Sequence, residues 1–305
     1  MQEKRAYAAI AVTLVLWASA FVAIRHLGED FSPGALSLGR HLVAGAALAV
    51  VVLSRGFVRP QRADWPIVLT IGVLWFAVYH VALNEAERRV DAGTASMLLQ
   101  VSPILLTVLA IMFLGERATA GLVVGLVVSF AGVSLIGFAT SDGGGRDLVG
   151  VLLCLVSCLA YAISVVLQKP LLRRIPALEL TWIATVVGAV VTLPFLPRLI
   201  GEARDAPGSS IVWLVYLGVF PTALAFTTYA FALKHLSATT LGLSTYLVPP
   251  ITVLIAWLAL DEAPPALAYA GGVLCLAGVW WARRGTSAQP PPQPVREEQA
   301  VPGPG

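Results

Sequence analysis

Long apolar stretches dominate this sequence and restrict what it can fold into. Ten stretches of about 20 mostly apolar residues follow one another, each long enough to cross a bilayer as a helix. They cover roughly residues 6–24, 35–53, 66–84, 93–114, 118–138, 148–168, 178–197, 211–233, 238–260 and 265–282. Strands of a membrane barrel would alternate in polarity at every second residue, and these stretches do not. The sequence predicts an all-α integral membrane protein with ten transmembrane helices.

The composition excludes several classes of protein. The chain is 58% hydrophobic and 12% charged, with a mean hydropathy of +0.83, whereas soluble domains are about 25% charged. The lipid bilayer is therefore an expected partner. No basic stripe with interleaved aromatic residues is present, so we expect no nucleic-acid partner. Cys154, Cys158 and Cys275 lie in apolar stretches with no other soft ligand nearby, and we interpret them as packing residues rather than metal ligands. We predict no cofactor.

One of the apolar stretches occurs twice. Residues 92–116 and 238–262 align 146 positions apart without a gap, and each carries a proline near its middle, Pro103 and Pro249. Each half of the chain then holds five helices. Because five is odd, the second half must enter the membrane from the opposite side. The sequence predicts a 5+5 inverted repeat, which places substrate sites near the membrane midplane between the halves.

Five segments follow from this repeat. We predict an N-terminal tail at 1–5, a first repeat at 6–140, a connecting loop at 141–146, a second repeat at 147–284, and a disordered Pro-rich tail at 285–305. With a cytoplasmic N-terminus, 13 of the 20 Lys and Arg residues fall in inner segments and 6 in outer loops. Inner loops of membrane proteins are enriched in these residues. Both termini are therefore predicted to be cytoplasmic.

The chain resembles the EamA-type family of the drug/metabolite transporter superfamily over residues 6–284. The residues that carry the resemblance are Trp17-Ala18-Ser19 in a first helix ending at Arg25, the pairs Pro103…Gly115-Glu116 and Pro249…Asp261-Glu262, and the glycines of the fifth and tenth helices. The resemblance implies a multi-pass carrier of small metabolites in the bacterial inner membrane, commonly an exporter of amino acids or related compounds. It does not identify the substrate.

Polar and aromatic side chains near mid-depth are the candidate substrate contacts, because polar groups there are costly unless they face a cavity or another helix. The candidates are Trp17, Trp75, Tyr79, His80, Asn84, Gln100, Tyr161, Phe226, Tyr229 and Tyr246. Six of them form pairs at equivalent repeat positions, namely Gln100 with Tyr246, His80 with Phe226, and Trp17 with Tyr161. The alternative is contact between helices, through hydrogen bonds or aromatic packing. The paired residues differ chemically, which predicts an asymmetric cavity.

Three prolines fall inside the doubled stretch. Pro103, Pro249 and Pro250 each remove a backbone N–H and clash with the carbonyl of the preceding turn. A carbonyl freed in this way needs a partner or a water-filled cavity. We therefore predict kinks that line a cavity. The alternative is a packing kink whose carbonyls are satisfied by Ser102 or Thr245.

Few charged or titratable groups lie inside the predicted spans. We predict that Arg40 extends to the outer interface along its own stem, with pairing to a substrate carboxylate as the alternative. His80 has a reference pKa near neutrality; we interpret it as a neutral structural residue, with a proton relay as the alternative. Glu116 and Glu262 precede the fifth and tenth helices, and we predict that they cap them. No carboxylate falls at mid-depth, so the sequence does not support strong proton coupling.

The remaining motifs separate the competing classes of function. The chain has no GxxxxGK[ST] phosphate loop and no HExxH motif, and we predict that it is not an enzyme. We predict a secondary transporter that works by alternating access, with a passive channel as the alternative. Gly121 and Gly125 form a GxxxG pattern, and Ala268 and Gly272 repeat its spacing. This pattern favours close helix packing, either within the chain or in a homodimer.

Overall fold

A computed structural model describes residues 2–89, 98–140, 147–260 and 265–286. Within these residues every regular element is helical. Eight of the helices are long and apolar enough to cross a membrane, by length and composition, and Ser102–Leu114 and Ala266–Ala282 are shorter apolar helices. The all-α prediction is confirmed. The predicted loop at 141–146, Asp261, Glu262 and the Pro-rich tail beyond Thr286 lie outside the described residues.

Several helices contain a short segment of a different helical type, and we number each such composite as one element. The first half of the chain contains α1 (Gln2–Leu27), α2 (Pro33–Arg55), α3 (Trp65–Ile71, a π segment at Gly72–Val78, then Tyr79–Ala86), α4 (Ser102–Leu114) and α5 (Ala120–Thr140). The second half contains α6 (Leu148–Leu171), α7 (Ala177–Thr192, a 3-10 turn at Leu193–Phe195, then Leu196–Asp205), α8 (Gly208–Leu217, a π segment at Gly218–Leu224, then Ala225–His235), α9 (Ala238–Ser244, a 3-10 turn at Thr245–Leu247, then Val248–Leu260) and α10 (Ala266–Thr286).

Local sequence sets several of the helix ends. Pro33 lies in the first turn of α2, where no backbone N–H is needed. Asp147 caps α6 by accepting a hydrogen bond from the Val149 amide at 2.8 Å, and Ser237 caps α9 by accepting one from the Thr240 amide at 3.1 Å. Gly115 ends α4 in the left-handed conformation, with φ of 68°.

Glycines bring α5 and α10 into close, antiparallel contact. A Cβ added to Gly125 would lie 2.6 Å from the Gly278 carbonyl oxygen, and one added to Gly132 would lie 2.6 Å from the Gly271 carbonyl oxygen. Numbers rise along α5 while those of the partners fall along α10, so the helices run in opposite directions. The two contacts are equivalent, because Gly125 and Gly132 lie 146 positions before Gly271 and Gly278. Gly125 of the GxxxG pattern therefore packs within the chain, and a homodimer through these helices stays a prediction.

Two π segments, Gly72–Val78 and Gly218–Leu224, also occupy equivalent positions in the two halves. A Cβ on Gly72 would lie 2.5 Å from Val187 Cβ on α7, and a Cβ on Gly218 would lie 2.5 Å from Val43 Cβ on α2. Each π segment therefore packs against a helix from the other half of the sequence. The two halves interlock, and side chains from both meet in the middle of the bundle.

Each of the three prolines lies in the first turn of an α-helical segment that follows a short irregular or 3-10 segment. Leu98 and Leu99 are helical, a turn follows, and α4 then starts with Pro103 in its first turn. In α9 a 3-10 turn precedes Val248–Leu260, which begins with Pro249 and Pro250. Interrupting the helix costs less than placing proline in its interior, because the first turn needs no N–H. The predicted kinks are thus helix breaks, and the Leu99 carbonyl faces the thiol of Cys158 at 3.6 Å.

Glu116 caps a different helix from the one predicted. Its Oε1 accepts a hydrogen bond from the Ala238 amide at 2.7 Å, and its Oε2 accepts one from the Thr239 amide at 2.9 Å. Both amides belong to the first turn of α9, whose positive end favours a carboxylate. The acid ties the two halves of the chain together instead of capping α5. Sequence proximity alone had suggested the nearest helix.

Candidate functional site

A cavity of about 100 Å³ lies among the middles of helices from both halves. Its wall is mostly apolar, with polar groups at a few points. The lining residues are Trp17, Ala20, Phe21, Ile24, Arg40, Trp75, Tyr79, His80, Leu83, Leu99, Gln100, Ser102, Tyr161, Phe226, Thr245 and Val248. Seven of them are predicted substrate contacts, namely Trp17, Trp75, Tyr79, His80, Gln100, Tyr161 and Phe226.

Aromatic rings form much of the wall and fix its shape. The Trp17 ring lies 5.5 Å from that of Phe226, centroid to centroid. Trp75 lies 5.0 Å from Phe226 and 5.4 Å from Tyr161. Edge-to-face and tilted contacts of this kind hold rings in defined orientations. The apolar part of the cavity is therefore a preformed surface.

Residues at equivalent repeat positions touch one another at this site. The rings of Trp17 and Tyr161 are 6.5 Å apart, and those of His80 and Phe226 are 5.7 Å apart. The Tyr246 hydroxyl donates to the Gln100 carbonyl oxygen at 3.2 Å. Side chains at matched positions of the two halves therefore meet in the middle of the bundle.

Three predicted contacts do not line the cavity. Asn84 donates to the Pro33 carbonyl at 3.3 Å and to Ser37 Oγ at 3.1 Å, which joins α3 to α2. The Tyr229 hydroxyl lies 2.6 Å from that of Tyr161, behind the wall. Tyr246 is fully buried and packs against α5 and α10. Each of these side chains bonds to the protein, which is the helix-to-helix contact weighed as the alternative.

Arg40 corrects another prediction, because it does not extend to the interface. It is only 3% exposed and lies about 10 Å along α2 from the start of that helix. Its Nε donates to Thr222 Oγ1 at 3.0 Å, and its side chain lines the cavity. The contact from α8 holds the guanidinium inside the bundle. Thr222 carried no signal in the sequence, since it has no role until α8 meets α2.

His41 is a residue that the sequence reasoning missed. It is fully buried, and its Nε2 lies 3.3 Å from Nδ1 of His80. One nitrogen must donate and the other must accept, so at least one of the two rings is neutral. His80 therefore shares the interior of the bundle with a second buried imidazole. The signal was present, because His41 follows Arg40 within the same apolar stretch.

The Gln100 side chain is a neutral polar group of the cavity wall. It is 7% exposed, and its carboxamide makes no hydrogen bond within the described residues. Two of the lining hydroxyls bond within the protein: Thr245 donates to the Gly242 carbonyl at 2.7 Å, and the Tyr161 hydroxyl lies 2.6 Å from that of Tyr229. No group of three or more His, Cys, Asp or Glu residues in the described part of the chain could hold a metal. The site is suited to binding a small amphipathic molecule.

The chain is similar to known proteins along nearly its whole length. Residues 4–138 and residues 148–284 each match the EamA-like transporter family. The chain belongs to this family. A probable terminal-alkyne amino-acid exporter from Streptantibioticus cattleyicolor is 36% identical, over 99% of each chain. The uncharacterized transporter YdfC from Bacillus subtilis is 32% identical, over 87% of this chain and 86% of that protein.

The crystal structure of another protein shows the same fold. Its TM-score is 0.78 at 20% sequence identity, and the match covers 93% of this chain and 99% of that one. This similarity concerns the fold alone. The EamA family is a family of membrane transporters, so the chain is a multi-span membrane protein, and its relatives are named as transporters rather than enzymes.

Charged side chains connect neighbouring helices at both ends of this EamA-family bundle. At one end Arg174 pairs with the buried Asp64 at 2.7 Å, and Lys169 donates to the Leu233 carbonyl at 2.6 Å and to that of Leu236. At the other end the exposed Arg89 contacts Glu85 at 2.8 Å and Asp147 at 3.3 Å. The hydrogen bond from the Val149 amide, with help from Arg89, lowers the pKa of Asp147.

Proposed function

We propose that this protein is a secondary transporter that exports amino acids or related small metabolites across the bacterial inner membrane. The observation that carries the proposal is the cavity lined by residues from both halves of the chain, with an aromatic wall and a few polar groups. Pockets of this composition bind small molecules that have apolar and polar parts. The similarity to a probable amino-acid exporter over the whole chain supports the substrate class.

The proposed architecture is a 5+5 inverted repeat of ten spans, with halves at 6–140 and 147–284 and both termini in the cytoplasm. The antiparallel glycine contacts of α5 and α10 support an axis that lies in the membrane plane. The two π segments at equivalent repeat positions support the same relation. The two separate family matches agree with it. Alternating access would then be a rocking of one half against the other around the cavity.

Within this proposal the cavity-lining side chains contact the substrate. They are Trp17, Trp75, Tyr79, His80, Gln100, Tyr161 and Phe226. Asn84, Tyr229 and Tyr246 support them from behind, and the helix starts at Pro103, Pro249 and Pro250 shape the break beside Gln100. Phe226 is the most useful single probe, because it contacts Trp17, Trp75 and His80.

Flux measurements test the proposed function. Purified protein in lipid vesicles is loaded with unlabelled amino acid, and counterflow of labelled amino acids, including propargylglycine, is followed. We expect saturable flux stimulated from the opposite side, and a loss of at least about tenfold in Phe226→Ala from its lost aromatic contacts. Phe138→Ala is the matched control, because Phe138 is 78% exposed on the outer surface.

Each alternative has its own outcome. Flux without saturation or stimulation from the opposite side indicates a passive channel. Flux that is equal in the two phenylalanine variants contradicts the assignment of the cavity as the transport site. Absence of flux for every amino acid tested contradicts the substrate class. Reporter fusions at Arg59 and Asp142 test the orientation, which predicts Arg59 in the cytoplasm and Asp142 outside.

A further inference from the structure

We propose that Arg40 binds the carboxylate of the substrate, so that the cavity selects small molecules with one carboxylate and an apolar remainder. This inference rests on the proposed transport function and narrows its substrate class. It starts from a charge that the protein buries and leaves partly unpartnered.

The charge on Arg40 has no counter-ion in the described part of the chain. Its side chain is 3% exposed within a membrane-spanning helix, where a cation is costly and normally pairs with an anion or a carbonyl. Among the described residues, only Nε has a hydrogen-bond partner in the protein, Thr222 Oγ1. Within the described residues, none of the ion pairs involves Arg40. The two Nη groups are thus left for another ligand.

Glu87 is the acid whose charge acts on Arg40, but it does not bind the two Nη groups in place of a substrate. It lies just beyond the end of α3 and is partly buried, outside ion-pair distance of the guanidinium. Desolvation raises its pKa to about 7, so the carboxyl is only partly ionised near neutral pH. The neighbouring His41 adds no negative charge. The cavity therefore keeps a net positive polar end.

The second half of the chain holds the guanidinium in position. Thr222 Oγ1 accepts from Arg40 Nε and donates to the Leu217 carbonyl at 2.8 Å, at the start of the π segment. Gly218 lets the same segment approach the Arg40 carbonyl, where a Cβ would lie 3.0 Å away. With Nε held, the two Nη groups form an end-on fork that suits the two oxygens of a carboxylate.

The rest of the cavity fits the remainder of such a molecule. The rings of Trp17, Trp75, Tyr161 and Phe226 offer an apolar surface. The carboxamide oxygen of Gln100, which has no hydrogen-bond partner among the described residues, can accept a hydrogen bond from an amino group. The described lining includes no carboxylate that would attract a substrate bearing only a positive charge.

Binding to purified protein tests the inference. Propargylglycine, its methyl ester, pentynoate and butynylamine are titrated against tryptophan fluorescence, since Trp17 and Trp75 line the cavity. We expect the two acids to bind and the ester and amine to bind much more weakly. Arg40→Gln should weaken both acids by at least about 30-fold through the lost charge pair. Arg40→Lys keeps the charge without the fork and should lose less.

Two further variants separate positioning from folding. Thr222→Val leaves the charge but releases Nε, and should weaken the acids by about 3- to 10-fold. Arg89→Gln removes an exposed cation that pairs with Glu85 and should change no binding. Equal binding of acid and ester, acid binding by Arg40→Gln at the wild-type level, or no binding of either acid to the wild type overturns the inference.

The transport assay distinguishes this inference from the proposed function. Acid binding that depends on Arg40 without any flux contradicts transport and leaves the carboxylate site standing. Flux of the ester or the amine that Arg40→Gln leaves unchanged contradicts the carboxylate site and leaves transport standing.

Discussion

The two halves of the chain repeat the same backbone packing but carry different side chains at the matched positions. On one side Gly218 of α8 packs against the Arg40 carbonyl of α2, and a Cβ would lie 3.0 Å from it. On the other side Gly72 of α3 packs against the Ala184 carbonyl of α7 at the same distance. The positions correspond, yet one carries a guanidinium and the other a methyl group. The backbone contact is therefore repeated in both halves, whereas the polarity of the side chain at that position is not.

The neighbouring pair differs in the same way. His41 reaches across to His80, whereas Thr185, its counterpart, donates to the Thr181 carbonyl of its own helix at 2.7 Å. His80 itself faces Phe226. Arg40, His41 and His80 all come from the first half of the chain, and their counterparts in the second half are Ala184, Thr185 and Phe226. Equivalent positions of the two halves therefore contribute different side chains to the middle of the bundle, which suits the proposed binding of a substrate with a polar and an apolar part.

The repeated packing should give the largest effects on stability. Gly132→Ala places a methyl group against the Gly271 carbonyl, with little room for movement, and should destabilise the protein by roughly 1–3 kcal/mol. Gly278→Ala, on the paired contact, should do the same. Gly272→Ala is the control on α10, because its Cβ would meet Pro250 at an ordinary 3.6 Å. Thermal unfolding in detergent measures the three; equal melting temperatures would contradict the antiparallel contact.

The two π-segment glycines should separate packing from chemistry. Gly218→Ala and Gly72→Ala each bring a Cβ within 2.5 Å of a valine Cβ, and both should lower stability by roughly 1–3 kcal/mol. Only Gly218→Ala displaces Arg40, so only it should weaken binding of propargylglycine by about tenfold. Titration of both variants at matched stability checks this. Equal losses would show that the asymmetry has no bearing on binding.

The hydroxyl pair behind the wall exists in one half only. Tyr161 and Tyr229 share a hydrogen bond of 2.6 Å, while their counterparts, Trp17 and Leu83, cannot. Tyr229→Phe should cost about 1 kcal/mol, because it leaves the Tyr161 hydroxyl without this buried partner. Denaturation of purified protein measures the change, with Tyr269→Phe, at an exposed position, as the control. An unchanged stability would mean that the pair contributes nothing.

The cap of α6 should give a small, pH-dependent effect. The folded protein lowers the pKa of Asp147, so its contribution is present above the ordinary value near 4. That contribution is lost as the pH falls through the depressed value. Melting temperatures between neutral and acidic pH should therefore decline slightly less in Asp147→Asn than in the wild type. Parallel declines would contradict a role for this charge.

The smallest effect is expected at the imidazole pair. His80→Gln should leave the pH dependence of transport unchanged, because the contact with His41 already requires one neutral ring and neither ring reaches a carboxylate in the described structure. Counterflow measured across neutral pH in this variant and in His41→Gln checks this. A flattened profile in either variant would instead support a proton relay.

Part of the site could be predicted from the sequence, for a physical reason. Aromatic and polar groups at mid-depth are costly in lipid, so residues such as Trp75 and Gln100 indicated a cavity before any fold was known. Whether such a group faces the cavity or another helix depends on the rotation of its helix. The sequence did not settle that for Asn84 or Tyr246. Arg40 was misjudged because its partner Thr222 lies in the other half of the chain, far away in sequence.

By itself, the sequence determined the helical class and the positions of most apolar helices. These follow from the cost of exposing a backbone to lipid, which is a local property. Only the tertiary structure decided which glycines meet, which helix Glu116 caps and where Arg40 points. Those outcomes depend on contacts between segments far apart in the chain, and the sequence of one segment does not identify the segment that packs against it.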